Sequence, residues 1–345
     1  MPAHPSTSTQ MFKEAGEAAD AVARQLDRNA ATARDLGDML RSMRPRAVVT
    51  CARGSSAHAA TFAKYLIETR AGTLTSAAAL SVSSVYGVAT DLHETLFLAI
   101  SQSGKSPDLL RTAERARAAG ARLVAIVNVE DSPLAALADH VLPLHAGPET
   151  SVAATKSWIA SIAAITHLVA HWTRDVTLLA NLERLPRALA QAWKLEWTAA
   201  IDALQDASSL YVLGRGYGLA AACESALKFK ETCGLHAEAI SAAEFLHGPV
   251  ATVRENFPVL VYAQDDATRA GIASLLDTLV DRGVRVLVAG APHKGAVALP
   301  TVSLDAVLQP VLAIQSFYRM VNALALARGM NPDRPRHLRK VTETL

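Results

Sequence analysis

Apolar and polar positions change their rhythm along the chain. Between Met11 and Met43, Ala, Glu, Arg, Leu and Gln dominate, and Leu26, Leu36, Met39 and Leu40 fall at helical spacing. That pattern predicts a helical segment stopping at Arg44-Pro45. Beyond it come short apolar runs that end in Gly and Ser, each leading into an Ala-rich helical stretch. Ala47-Val48-Val49-Thr50 runs into Gly54-Ser55-Ser56, and Leu96-Phe97-Leu98-Ala99-Ile100 runs into Ser101-Gln102-Ser103-Gly104. Gly120 then precedes a further run from Leu123 to Val127. Strand, turn, helix and strand in repetition predict parallel βαβ units in an open sheet.

The second half repeats this order. Leu210-Tyr211-Val212-Leu213 runs into Gly214-Arg215-Gly216-Tyr217-Gly218 and an Ala-rich helix, and Val259 to Tyr262, a helix, Arg282-Gly283 and Val284 to Val288 match the unit from 96 to 127. The expected architecture is α/β: two similar domains, each an open, mainly parallel sheet flanked by helices. The predicted boundaries are a helical lead-in over 1–45, a first domain over 46–185, a helical connector over 186–207 in which Pro186 makes a break, a second domain over 208–330 and a tail over 331–345. A chain of 345 residues is long enough for two cores.

Composition narrows the function. Half the residues are hydrophobic, the formal charge is only +2, and Lys and Arg are dispersed, so neither a nucleic-acid footprint nor a polybasic membrane surface is indicated. Small molecules and further copies of the chain are the expected partners. Cys51, Cys223 and Cys233 are an odd number without disulfide-like or metal-like spacing, as in a reducing compartment. The first residues show no basic stretch followed by an apolar core, so no signal peptide is expected and the location is read as cytoplasmic. Trp158 to Trp172, interrupted by His167, is too short for a membrane span, which needs ~20 apolar residues, and is read as a buried helix.

Candidate chemistry sits at the turns. A phosphate needs several donors converging on it, and a Ser- and Gly-rich turn at a helix start supplies hydroxyls, backbone N–H groups and the positive end of the helix dipole. The turn from Ser101 to Ser106, with Pro107 suited to the first helical turn, has all three. Gly54-Ser55-Ser56 follows another strand and should share its edge. Taken singly, such loops more often serve only as turns and caps. The second repeat has Ala263-Gln264-Asp265-Asp266 at the corresponding place, where two carboxylates would repel a dianion, so only the first domain should hold phosphate.

Glu224, Lys228 and Glu231 lie four and three residues apart on one helix face, which fits either a solvated ion-pair face or a site. His247, in Ala243-Glu244-Phe245-Leu246-His247-Gly248-Pro249, falls on a turn after a short helix, where an imidazole is exposed. The tail from Asn331 to Thr342 is basic and holds two prolines, which suits a disordered end; Leu338 and Val341 flank Lys340 in a pattern that also allows docking. We find no ligand cluster for a metal, and no cofactor is expected.

Ser101-Gln102-Ser103-Gly104, Gly54-Ser55-Ser56 and Val152-Ala153-Ala154-Thr155-Lys156 together resemble the sugar isomerase (SIS) domains, specifically the isomerase half of glucosamine-6-phosphate synthase, from about residue 45 to the end. By this resemblance Ser56, Ser101, Gln102, Ser103 and Ser106 contact the phosphate, with Gly54 and Ser55 in the same cradle. Ser106 stands where that enzyme has Thr, and Ala154 where it has Ser, so Ser151, beside Val152, takes over that sugar contact or it is lost. The resemblance also implies that Glu231 moves a proton between C1 and C2, that His247 opens the sugar ring, and that Lys228 lies near the reacting carbons. Glu224 matches a further acidic position and Lys340 sits in a closing tail. His247 would reach across from a neighbouring subunit, which implies a homodimer.

The synthase carries an additional glutamine-cleaving domain ahead of its isomerase half, and this sequence opens instead on a short helical lead-in. The expected activity is therefore the reverse one, glucosamine-6-phosphate deamination to fructose 6-phosphate and ammonia. Galactosamine 6-phosphate and fructosamine 6-phosphate remain alternative substrates. A sugar-phosphate sensor remains an alternative class, although the lead-in is too plain for a DNA-binding headpiece.

Overall fold

A computed structural model describes residues 8–88 and 90–340. Three helices open the chain, α1 (Gln10–Gly16), α2 (Ala18–Arg28) and α3 (Ala30–Met43). The first repeat follows as β1 (Ala47–Cys51), α4 (Gly54–Arg70), β2 (Thr75–Ala77), α5 (Leu80–Ser84), β3 (Thr95–Ser101), α6 (Pro107–Ala118), β4 (Arg122–Val127), α7 (Pro133–Leu137) and β5 (His140–Pro143). Helices α8 (Lys156–Thr173), α9 (Val176–Ala192) and α10 (Thr198–Leu204) lead to the second repeat: β6 (Ser209–Gly214), α11 (Tyr217–Cys233), β7 (His236–Ser241), β8 (Pro258–Ala263), α12 (Arg269–Asp281), β9 (Arg285–Gly290) and β10 (Val297–Leu299). Helix α13 (Gln309–Ala327) closes the regular structure.

Every strand pair is parallel. The first sheet has the order β2-β1-β3-β4-β5 and the second β7-β6-β8-β9-β10, so the internal repeat expected from the sequence extends to topology. All seven residues of β3 are buried, as a central strand covered on both faces requires. Its neighbour β1 pairs with it in a register that sets Cys51 opposite Ala99. The turns after β1 and β3 therefore leave the same, carboxyl edge of the sheet side by side.

Two compact units are present. One comprises residues 20–149, 156–186 and 339–340, and contains the first sheet. The other comprises residues 8–19, 150–155 and 187–338, and contains the second. In the first unit α8 is buried along nearly its whole length, as its mostly apolar composition predicts, and packs on α3 and α4. The approach of α3 is close enough that Gly37 has no room for a side chain. No helix among the described residues is long and apolar enough to cross a membrane.

Pro186 does not break the chain, contrary to the sequence expectation: α9 runs through it from Val176 to Ala192. A proline inside a helix removes one hydrogen bond and costs about 3 kcal/mol. Against that, Leu178, Leu182, Leu185 and Leu189, spaced four, three and four residues apart, are all buried. Each contributes roughly 2 kcal/mol of apolar burial, so the leucine face outweighs the proline.

Candidate functional site

In the first unit the turn after β3 is shaped by its own side chains. Ser101 Oγ accepts the Gly104 N–H (3.0 Å), and the Gly104 carbonyl accepts the Leu134 N–H (3.2 Å). Gly104 has φ +63°, and a Cβ there would lie 2.3 Å from Ser132 Oγ, so both the backbone conformation and the space demand glycine. Ser101 is buried, Gln102, Ser103 and Ser106 are half-buried, and the turn delivers the chain into the first turn of α6. Beside it, exposed Gly54 and half-buried Ser55 and Ser56 form the first turn of α4. Two helix N-termini and a row of hydroxyls thus open on one sheet edge, an arrangement able to receive an anion.

An ion pair ties the two turns together. Arg53 donates to Asp108 Oδ2 from Nε (2.9 Å) and Nη2 (2.6 Å), and Asp108 Oδ1 accepts the Leu109 N–H (2.8 Å). Nothing in the sequence singled out this pair, because an acid in the first turn of a helix reads as an ordinary cap. Nearby, burial pushes the Cys51 thiol up to about 12, Asp108 adds to the rise and Arg53 opposes it. Lys340 also belongs to this unit: its Nζ lies 3.5 Å from Glu149 Oε2, a buried carboxylate that accepts the Ser157 hydroxyl (2.5 Å) and amide (3.1 Å) as well. The tail beyond Lys340, including Val341, lies outside the described residues.

The second unit holds the charged helix face. Lys228 Nζ stands 2.5 Å from Glu231 Oε2 and 3.4 Å from Glu224 Oε1, and Glu224 Oε1 also accepts the Tyr318 hydroxyl (3.0 Å) from α13. The side chains of Lys228 and Glu224 are fully covered, while Glu231 keeps 19 % of its exposure. This is not a solvated face: of the three, only Glu231 is reachable from outside. Ser225, on the same helix, shares a 2.5 Å hydrogen bond with Tyr262, whose phenol burial pushes well above its ordinary range.

Residues 150–155 belong to this second unit. Glu14 of α1 holds their start, accepting the Thr150 N–H (2.6 Å), the Thr150 hydroxyl (3.0 Å) and the Ser151 N–H (3.1 Å). Ser151 is buried there, with Val152 and Ala154 half-buried. His247 follows the short 3-10 turn Glu244–Leu246 and precedes Gly248, whose φ is +136°. It is exposed, and its imidazole makes no hydrogen bond among the described residues. In the second repeat, Asp265 pairs with Arg269, and Asp266 accepts from Thr268, so the two carboxylates expected to exclude an anion are committed within their own turn. Tyr318, Glu149, Glu14, Arg53 and Asp108 escaped sequence reasoning because each acts on a partner at least eight, and mostly more than fifty, residues away along an otherwise ordinary element.

The SIS domain model matches residues 42–171 and 203–290. The chain belongs to the SIS domain family. A glutamine–fructose-6-phosphate aminotransferase (isomerizing) of Symbiobacterium thermophilum is 34% identical over 324 residues, covering 87% of this chain and 52% of that protein. The chain thus spans about half the length of the curated relatives it matches. Among solved structures, a protein of Silicibacter pomeroyi DSS-3 provisionally assigned as a phosphosugar isomerase shares 43% identity with a TM-score of 0.90, covering 94% of this chain and all of that one. A glucosamine-6-phosphate deaminase of Thermotoga maritima shares the SIS fold, with a TM-score of 0.75 at 22% identity over 97% of this chain and 100% of that one.

Proposed function

We propose that this SIS protein is an amino-sugar-phosphate isomerase and deaminase acting on glucosamine 6-phosphate. The observation that carries the reading is the covered Glu224-Lys228-Glu231 cluster, which leaves one carboxylate accessible beside a fixed ammonium. An aldose–ketose shift needs one group that takes a proton from C2 and returns it to C1. Glu231 is that group. Lys228, 2.5 Å away, holds it in position and lends a positive field to the enolamine oxygen as charge develops there. Glu224, itself held by Tyr318, fixes Lys228 in turn.

The substrate class follows from the hydroxyl-rich turn and from the relatives, whose names specify fructose 6-phosphate. Ser56, Ser101, Gln102, Ser103 and Ser106 hold the phosphate, with Gly54 and Ser55 supplying backbone. Ser151 and Val152 line the sugar. His247 opens the pyranose; its exposure and uncommitted imidazole suit a residue that completes the site of a second copy in a homodimer. Lys340 closes the site from the tail. After the shift, C2 bears an imine and C1 an alcohol. Water adds to C2 and ammonia leaves, so glucosamine 6-phosphate and water give fructose 6-phosphate and ammonia.

The test mixes the purified protein with glucosamine 6-phosphate and follows ammonia, alongside Glu231→Gln, which should lose about 100-fold or more in kcat. No ammonia from the unaltered protein, or equal rates for both, would overturn the proposal. Galactosamine 6-phosphate and fructosamine 6-phosphate run in parallel define the sugar.

A further inference from the structure

Asp108 presents an electrostatic problem. It is 1 % exposed, at the second position of α6, and carries a carboxylate at the helix end that the phosphate turn feeds. A carboxylate there occupies the positive end of the helix dipole and repels an incoming dianion. Arg53, at the corresponding end of α4, binds that same carboxylate through two nitrogens of its guanidinium while keeping 53 % of its side-chain exposure.

We propose that Arg53 is a positioning residue of the phosphate cradle, acting by cancelling the charge of Asp108 so that the two turns can accept a dianion. This rests on the phosphate reading above and adds to it a requirement that none of the hydroxyl-bearing residues meets. Asp108 in turn clamps Arg53 and accepts the Leu109 amide of α6. A pair that only bridged the turns and a pair that balances charge there make opposite forecasts.

The experiment measures the rise in melting temperature with inorganic phosphate and with glucosamine 6-phosphate, together with KM and kcat, for the unaltered protein, Arg53→Met, Asp108→Asn and the double variant. Asparagine retains an oxygen for the Leu109 amide, and circular dichroism checks that each variant folds. Charge cancellation requires Arg53→Met to weaken phosphate binding and raise KM about tenfold or more, with kcat changed by less than about threefold. Asp108→Asn should bind phosphate as tightly as the unaltered protein or more so, and the double variant should recover most of what Arg53→Met loses. A mere bridge would weaken binding in both single variants and leave the double no better, which would overturn the inference, as would an Arg53→Met protein that binds normally. Should the unaltered protein gain no stability from either ligand, the phosphate reading falls and this inference falls with it; binding by the unaltered protein with the wrong signs among the variants refutes Arg53 alone.

Discussion

Replacing Lys228 by methionine isolates what the buried cluster contributes to stability. The ammonium stands 3.4 Å from Glu224 and 2.5 Å from Glu231, and neither Lys228 nor Glu224 has any exposed side-chain surface. Methionine nearly fills the volume, so a cavity is a minor effect. What changes is that Glu224 keeps the Tyr318 hydroxyl but loses the ammonium beside it, in a place water does not reach. Removing one partner of a buried pair costs about 3–5 kcal/mol, because the other charge stays desolvated. Glu231 adds little to this figure, since its partial exposure lets it turn to solvent and exposed pairs contribute under ~1 kcal/mol. A loss of ~3 kcal/mol corresponds to a fall in melting temperature of roughly 6–12 °C for a domain of this size. Urea unfolding followed by tryptophan fluorescence reads it directly, because Trp193 and Trp197 lie in the same compact unit as the cluster. Glu224→Gln combined with Lys228→Met removes both covered charges and should recover at least ~2 kcal/mol of the loss. If Lys228→Met costs under ~1 kcal/mol, or the double variant is no more stable than the single, then the pair is not charged and buried as described.

Two further outcomes follow from the first unit. Gly37→Ala places a Cβ 2.7 Å from the His171 carbonyl carbon and 2.9 Å from the Trp172 nitrogen, backbone atoms that cannot swing aside. Overpacking of about 1–3 kcal/mol outweighs the ~1 kcal/mol gain in helix propensity, so thermal melting should show a net loss; a Gly37→Ala protein as stable as the original would contradict the α3–α8 approach. Burial, reinforced by His171, holds His167 near 4 instead of its ordinary 6.5. The folded chain therefore binds this proton more weakly than the unfolded one, so the contribution is intact above pH 6.5 and is lost as pH falls toward 4, by roughly 3 kcal/mol in all. Melting temperatures of the original and of His167→Leu, measured at pH 7 and pH 5, should diverge in slope, with the leucine protein flatter; parallel slopes would mean that His167 is not buried neutral.

How far the sequence carried the interpretation depended on the range of each interaction. The alternation of apolar runs with Gly/Ser turns and Ala-rich helices is local, and it announced both sheets, their parallel strands and their repetition. The same holds for the turn at Ser101, whose cap-like hydrogen bond to Gly104 spans three residues. Pro186 marks the boundary of local reasoning: its own cost was visible, but the burial of four leucines along the same helix, which outweighs it, depends on what the rest of the chain brings against that face. The spacing of Glu224, Lys228 and Glu231 gave a shared face and no more. Whether that face met water was decided by what packs against it, including α13, whose Tyr318 holds Glu224 from ninety-four residues away.

The long-range partners have a common character. Glu14 reaches Thr150 across 136 positions, Arg53 reaches Asp108 across 55, and in each case one end looks unremarkable in isolation: a glutamate in an amphipathic helix, an aspartate after a helix-starting proline. Carboxylates of this kind are the commonest residues on a protein surface, so composition offers no reason to suspect them. Their burial is the informative event, because a covered charge must be matched, and its match identifies which loops the fold holds fixed. Glu14 fixes the start of the stretch 150–155, Glu224 fixes Lys228, and Asp108 fixes Arg53. The hydroxyl-rich turn that the sequence put forward as the anion site thus depends on an acid it did not put forward, and the sign of the response to Asp108→Asn is what separates a charge balance from a simple strut.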